Sequence, residues 1–315
     1  MVQRLEVARW NAGEVEVLNE IATEVGWDCR YTQLHTGPLR GNLRSLEIGD
    51  ITVDAERYER GIEVAGTTPE DNDTVAWTSH PEPWYFHGTP VGPGAVTFVP
   101  AATEFRLSTR APGTLTVVRI RKDRFRRAFQ ALLKTEARKR PVTLRPPPSR
   151  MERLRALAEF ALSGPPIGSN ERKELEASIL AATAQALGHG QACAADSKRI
   201  VDRARGFLLS NLTSILRMED LCAATGASER TLRRAFQREL GCGPTAYVRA
   251  QRLAHARHLL RTSVVASVTE AAIASGIDHL GRFSRRYREM FGELPSRTYT
   301  RPAHAGRTRR TECTS

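Results

Sequence analysis

Long apolar runs are missing from this 315-residue chain. Nowhere do ~18 or more apolar residues follow one another, and the opening MVQRLEVARWNAGEVEVLNE carries acids where a secretory leader would have its apolar segment. A cytoplasmic protein with no membrane contact is the expectation. Cysteine is scarce as well: Cys29, Cys193, Cys222, Cys242 and Cys313 are odd in number, far apart and never in C-x-x-C spacing, which argues against a disulfide framework and a zinc knuckle. There is no P-loop, no G-x-S-x-G and no paired-carboxylate arrangement, and the β-rich part contains no H-x-H. No catalytic role, no metal and no cofactor are therefore expected; His80, His87 and Glu82 could in principle form a metal site, but surface or pocket-lining roles are the expected ones.

What is present is a basic excess confined to one end. Residues 197–315 hold 22 Lys+Arg against 10 Asp+Glu, which is the whole net charge of +12, while residues 1–119 hold 10 against 17. An acidic module followed by one that meets a polyanion fits this asymmetry.

The length suggests two domains, at ~150 residues each. From about 43 to 120, alternating runs such as LRSLEIGDITVDAERY, TVAWTS, AVTFVP and TLTVVRI read as short strands, with a turn at Gly49-Asp50. A small barrel or double-sheet jelly roll is implied. Helical spacing follows over about 122–187, in segments near 122–140, 149–163 and 169–188, with Ser149 and Ser169 or Asn170 as candidate caps. These helices would pack either on the sheet or on a second copy of themselves. The fold class is α+β: a sensor or dimerisation domain at 1–190, a linker at 191–197, an all-α domain at 198–300 and a basic, disordered tail at 301–315.

Aromatics make up only 6% of the chain, yet Trp77, Trp84, Tyr85 and Phe86 crowd into one segment. Trp77, Trp84 and Phe86, with His87 or Glu104 supplying polarity, have the composition of an effector pocket, or else simply fill the barrel core.

The last hundred residues contain one pattern twice. MEDLCAATGASERTLRRAFQREL (218–240) gives apolar helical spacing at Leu221, Ala224 and Leu232, a turn at Gly226, and a second helix capped by Ser228 that presents Arg230, Thr231, Arg233, Arg234 and Gln237. VTEAAIASGIDHLGRFSRRYREMF (268–291) repeats it, with Thr269 as cap, small residues at Ala271, Ala272 and Ala274, a turn at Gly276, and His279, Gly281, Arg282, Ser284, Arg285 and Arg288 presented. Arginines on such a helix can fork onto guanine or onto phosphate. The helix between the copies, about 244–262, is roughly 28 Å long, near the ~34 Å between successive major grooves on one DNA face.

Residues about 198–298 resemble the DNA-binding domain of the AraC/XylS family of bacterial transcription regulators, on the landmarks Arg252, Leu253, Ala256, Leu259, Leu260, Ala271, Gly276, Phe283, Arg285, Phe291, Gly292, Pro295 and Tyr299. Ile277 departs from the family's usual Phe, and Leu280-Gly281 from its polar residues. YTQLHTGPLRGNLRSLEIGDITV and PGAVTFVPAATEFRLSTRAPGTLTVV are similar to the cupin-like sensor of the subgroup that includes the activator of ethanolamine-utilisation operons. The resemblance implies a transcription regulator, an activator by preference. Its partners would be promoter DNA, RNA polymerase, a second copy in a homodimer and a small-molecule effector on the first domain. Two alternatives stay open: an effector-independent regulator controlled by abundance or a protein partner, and a metal-dependent cupin enzyme fused to a DNA-binding domain.

Overall fold

The computed structural model describes residues 2–193, 200–300 and 308–310. Its first part comprises β1 (Val2–Arg4), β2 (Ala8–Ala12), α1 (Val15–Glu24), β3 (Asp28–Gln33), β4 (Gly41–Ile48), β5 (Ile51–Tyr58), β6 (Ile62–Thr67), β7 (Asn72–Thr78), β8 (Trp84–Phe86), β9 (Thr89–Val91), β10 (Val96–Val99), β11 (Glu104–Ser108), β12 (Gly113–Arg121), α2 (Lys122–Leu133), β13 (Val142–Arg145), α3 (Pro148–Leu162), β14 (Pro166–Gly168), α4 (Ser169–Gly188) and β15 (Gln191–Ala192). Its second comprises α5 (Ile200–Ser210), α6 (Met218–Thr225), α7 (Glu229–Leu240), α8 (Pro244–Arg261), α9 (Val268–Ala274), α10 (Leu280–Phe291) and α11 (Pro295–Thr300), then β16 (Thr308–Arg310). The mixed α+β class read from the sequence is the one observed.

Two large antiparallel sheets form the first part, in the orders β15-β13-β10-β7-β12-β5-β4-β2-β16 and β3-β6-β11-β8-β9, and β1 pairs with β14 in a small third one. The two-residue period of β5 shows why they pair. Ile51, Val53 and Ala55 join the core beneath α2, α3 and α4, whereas Tyr58 belongs to the core between the sheets and Glu56 borders a cavity there. Burial on both faces of this strand follows, and Asp54 and Glu56 are buried with it. The β4–β5 hairpin closes through Gly49, whose φ of +60° is free of Cβ strain only in glycine, with Ile48 opposite Ile51.

The helices whose partner the sequence left open cover the outer face of the larger sheet. Phe125 and Phe129 of α2, Met151, Leu154 and Ala158 of α3, and Leu175 and Ile179 of α4 share one core with Leu46, Val53 and Phe98 of the strands. Each large apolar side chain buried there contributes ~1.5–3 kcal/mol.

Several expectations need correcting. β-structure begins well before residue 43, and α1, with Val15, Val17, Leu18, Ile21 and Ala22 buried, went unread. Gly168 and Pro147 stand at the caps where Ser169 or Asn170 and Ser149 were expected, because the residues before each helix are already extended. Gln191 and Ala192, read as linker, continue the sheet against β13; the rest of that linker after Cys193 lies outside the described residues. Within the tail expected to be disordered, Thr308–Arg310 pair with β2, which otherwise leaves a row of backbone groups unmatched. The other tail residues lie outside the described ones.

The helical part has two cores that share α8. Tyr247 and Val248 pack with Leu208, Leu221, Leu232, Phe236 and Leu240 around the first unit. Leu253, Ala256 and Leu260 pack with Ala271, Ala272, Phe283, Tyr287 and Met290 around the second. One continuous helix therefore fixes both units.

Candidate nucleic-acid interface and effector cavity

Each unit turns where its glycine stands. Gly226 has φ +65° and Gly276 φ +72°; a Cβ on Gly276 would lie 2.7 Å from Thr213 Cα. Ser228 caps α7 by accepting the Thr231 amide at 3.3 Å. In the second unit the cap is Ser267, which accepts from the Glu270 amide at 3.1 Å, and not Thr269, which already lies inside α9. Of the small residues in the second unit, Ala271 and Ala272 are buried as close crossing requires, but Ala274 is exposed, as is Ala224 in the first unit. Leu221 and Thr225 make the first unit's buried face instead.

All twelve residues singled out on the two outer helices are exposed: Ser228, Arg230, Thr231, Arg233, Arg234 and Gln237 on the first, His279, Gly281, Arg282, Ser284, Arg285 and Arg288 on the second. Leu232 and Phe236, and Phe283 and Tyr287, anchor the opposite faces. Arg233 is held by Glu229 at 2.6 Å and Arg285 by Glu289 at 2.8 Å, both one turn along their own helix. Such exposed pairs hold the side chain weakly, at ~0.3–0.5 kcal/mol, and exchange readily for another anion. Arg230, Arg234, Arg282 and Arg288 have no acidic partner among the described residues.

Between the two sheets lies a cavity of about 50 Å³, several times the ~10–15 Å³ that admits one water. Trp77, Trp84 and Phe86 border it, although Trp77 also belongs to the core under the helices. His87 and Glu104 do not: Glu104 is exposed at the start of β11, and His87 sits at φ +44° in the turn after β8. Residues the sequence reading missed complete the lining, notably Trp27, Tyr31, Glu56, Thr74 and Phe105. Glu56 accepts from Tyr31 Oη at 3.1 Å and from Tyr58 Oη, both on the same carboxylate oxygen. Burial first, and then the neighbouring Asp54, push its pKa up to about 8. Asp54 itself is neutralised by Arg119 at 2.9 Å and accepts from Ser45 Oγ at 2.6 Å. Glu56 was legible only as a carboxylate two positions before Tyr58 in an otherwise ordinary alternating strand.

A family model described as a helix-turn-helix domain matches residues 221–301. The XylDLEGF operon transcriptional activator 2 of Pseudomonas putida is 36% identical over 99 residues, which span 31% of this chain and 63% of that protein. The XylDLEGF operon transcriptional activator of the same organism is 37% identical over 99 residues, 31% of each chain. A probable AraC family transcriptional regulator from Rhodopseudomonas palustris CGA009, whose crystal structure is known, is 39% identical over 32% of this chain and 95% of its own, with a TM-score of 0.31. The chain belongs to the AraC/XylS family of transcription regulators. It spans less than two thirds of the length of the two curated relatives. Among the described residues no helix is long and apolar enough to cross a membrane.

In this AraC/XylS-family chain the two parts are joined by buried charge. Arg257 of α8 is fully buried, with Glu14 and Glu16 from the edge of α1 each at 2.8 Å and its own domain's Glu293 at 3.0 Å. Arg261, one turn on, reaches Glu14 at 3.4 Å and Glu20 at 3.2 Å. Arg205 of α5, also buried, meets Glu63 of β6 at 3.2 Å. The outer helices are gripped near their C-terminal ends: Gly37 N–H donates to Glu289 O at 2.7 Å, Gln33 Nε2 to Met290 O at 3.0 Å, and Ser108 Oγ to Glu239 O at 3.5 Å.

Proposed function

We propose that this AraC/XylS-family chain is a cytoplasmic transcription activator that inserts α7 and α10 into successive major grooves on one face of promoter DNA. The observation that supports this most directly is the repeated placement of exposed arginines on the outer helix of two units that one 18-residue helix joins. Arg230, Arg233 and Arg234 on α7, and Arg282, Arg285 and Arg288 on α10, supply the cations, with Thr231, Gln237, His279 and Ser284 as hydrogen-bonding neighbours. Ser228 and Gly281 keep the groove-facing ends narrow. Leu280, exposed at the first turn of α10, offers a thymine methyl an apolar contact.

The effector site in this reading is the cavity between the sheets. Its apolar lining with one buried carboxylate suits a small, largely apolar molecule that gives a hydrogen bond to Glu56 and widens the cavity as it enters. The effector acts by changing how α1 and β3 hold the Arg257 region, which alters how a homodimer presents its two helical domains to DNA and RNA polymerase. Enrichment of bound duplexes from a random-sequence pool tests the core of the proposal. A recovered site with two recognition segments one helical turn apart is expected, and weaker enrichment of it by Arg233→Ala and Arg285→Ala chains. Recovery of unrelated sequences by the wild-type chain would refute it.

A further inference from the structure

The two units do not meet flush. Between them lies a cleft of about 330 Å³, floored by apolar groups of α5, α6 and α8 and edged, besides Arg233 of the α7 face, by four further guanidinium groups: Arg217 before α6, Arg249 and Arg252 on α8, and Arg286 on α10. Asp278 is the single acid of that lining. Arg252 is occupied, donating to Leu212 O at 2.7 Å and Ser214 O at 2.6 Å, and it is also the guanidinium that feels Asp278. The other three have no acidic partner within ion-pair distance among the described residues.

The cations also crowd one another. Arg286 is half-buried; burial and the neighbouring guanidinium groups of Arg249 and Arg282 push its pKa down, and Glu289 only partly offsets them. Folding gains nothing from assembling like charges at the mouth of a cleft, so the arrangement fits an anion that arrives from outside. Of the anions a DNA-binding chain meets, the backbone phosphate has the right position as well as the right charge. The cleft lies between α7 and α10, where the strand that separates two successive major grooves must pass.

We infer that the cleft between the units is a phosphodiester-binding site, in which Arg249 and Arg286, with Arg217 at the rim, clamp the duplex backbone between the two grooves. This rests on the DNA-binding reading above but assigns residues outside the two outer faces. The clamp carries no sequence information. It sets register and supplies salt-dependent affinity.

The test compares the full chain with Arg249→Gln/Arg286→Gln, which keeps most of each side chain's packing, and with Arg249→Gln alone, whose site is exposed. Dissociation constants are measured between 50 and 200 mM salt on a duplex recovered by selection and on an unselected duplex of the same length. Each lost phosphate contact lowers the slope of log affinity against log salt by ~0.9, so the double variant is expected to lose about 1.8 and the single about 0.9, on both duplexes. Methylphosphonates placed midway between the two recognition segments are expected to weaken wild-type binding and to leave the double variant nearly unaffected. A wild-type slope in a folded double variant, or equal sensitivity of both proteins to the neutral linkage, overturns the inference while leaving the reading helices intact. A wild-type chain that selects no sequence overturns the groove-reading proposal instead, and the slope on unselected duplex still decides the clamp.

Discussion

Neutralising the acids that α1 lends to Arg257 should release the sensor from the helical domain. In Glu14→Gln/Glu16→Gln the shapes are kept, but two of the three carboxylates within 3.0 Å of a fully buried guanidinium become neutral amides. Both lie on less than a quarter of their exposed area, so solvent screens them little. With Glu293 still beside the guanidinium and an amide oxygen left on each residue, the loss at each position is a fraction of the ~3–5 kcal/mol that breaking a buried pair costs, roughly 1–1.5 kcal/mol. The sum, about 2–3 kcal/mol, corresponds to a shift of roughly 30- to 150-fold from the closed toward the separated arrangement. The Gly37 amide reports it directly, because its acceptor is the Glu289 carbonyl across the boundary. Hydrogen exchange of the peptide containing Gly37 should speed up by that factor, while amides in the middle of β5 and β12 keep theirs. Unchanged exchange at Gly37, in a variant whose remaining amides also match wild type, would refute the idea that these ion pairs hold the halves together.

Four other outcomes follow from the same structure. Arg233→Ala or Arg285→Ala should leave the unfolding midpoint within measurement error, because each loses only an exposed pair on its own helix, yet reduce discrimination between selected and unselected duplex by ~1–3 kcal/mol. Gly276→Ala should destabilise the helical domain by about 2 kcal/mol or more in chemical denaturation, since φ is +72° and the added Cβ would meet Thr213. Ser267→Ala should cost ~1 kcal/mol through the lost cap, whereas Thr269→Ala, inside the helix, should cost much less. Glu56 holds its proton more tightly folded than unfolded, so the native chain binds the extra proton between about pH 4.5 and 8. Its contribution to stability is present at the acid end of that window and falls by up to ~1.4 kcal/mol per unit as pH rises through it. Glu56→Gln should flatten that part of the stability profile in pH-dependent denaturation; a profile as steep as wild type would place Glu56's ionisation elsewhere.

How much of this was legible in the sequence depends on how far each signal reaches along the chain. Turn glycines, the apolar stripes of the two units and the period-two runs from β4 to β12 are local, and the structure places elements there. The stripe of α1 was equally local; it lies just before the β-rich region and was overlooked. Caps were misplaced by one or two residues at Ser149, Ser169 and Thr269, because the backbone decides where a helix begins, and it begins after Pro147 and Gly168, neither of which has a side chain that could accept an amide. The cavity was half visible. Trp84 and Phe86 announce themselves as aromatics, but Glu56 becomes a cavity residue only because the second sheet folds over its face of β5. Arg257 offered least of all. Nothing around it separates it from the other arginines of α8, and its partners Glu14 and Glu16 lie more than 240 positions away in the chain.

The grip on Glu239, Glu289 and Met290 has a consequence for the spacing of operators. A helix that connected two reading heads alone would let them flex about its axis, and small changes in DNA pitch could be followed. Here a stiff double sheet touches the tail of each head at once, as a jig holds two drill bits at a set interval. Adding or removing one base pair between recognition segments would then strain the jig as well as the DNA, so a regulator locked to its sensor should tolerate fewer operator spacings than one whose heads are released.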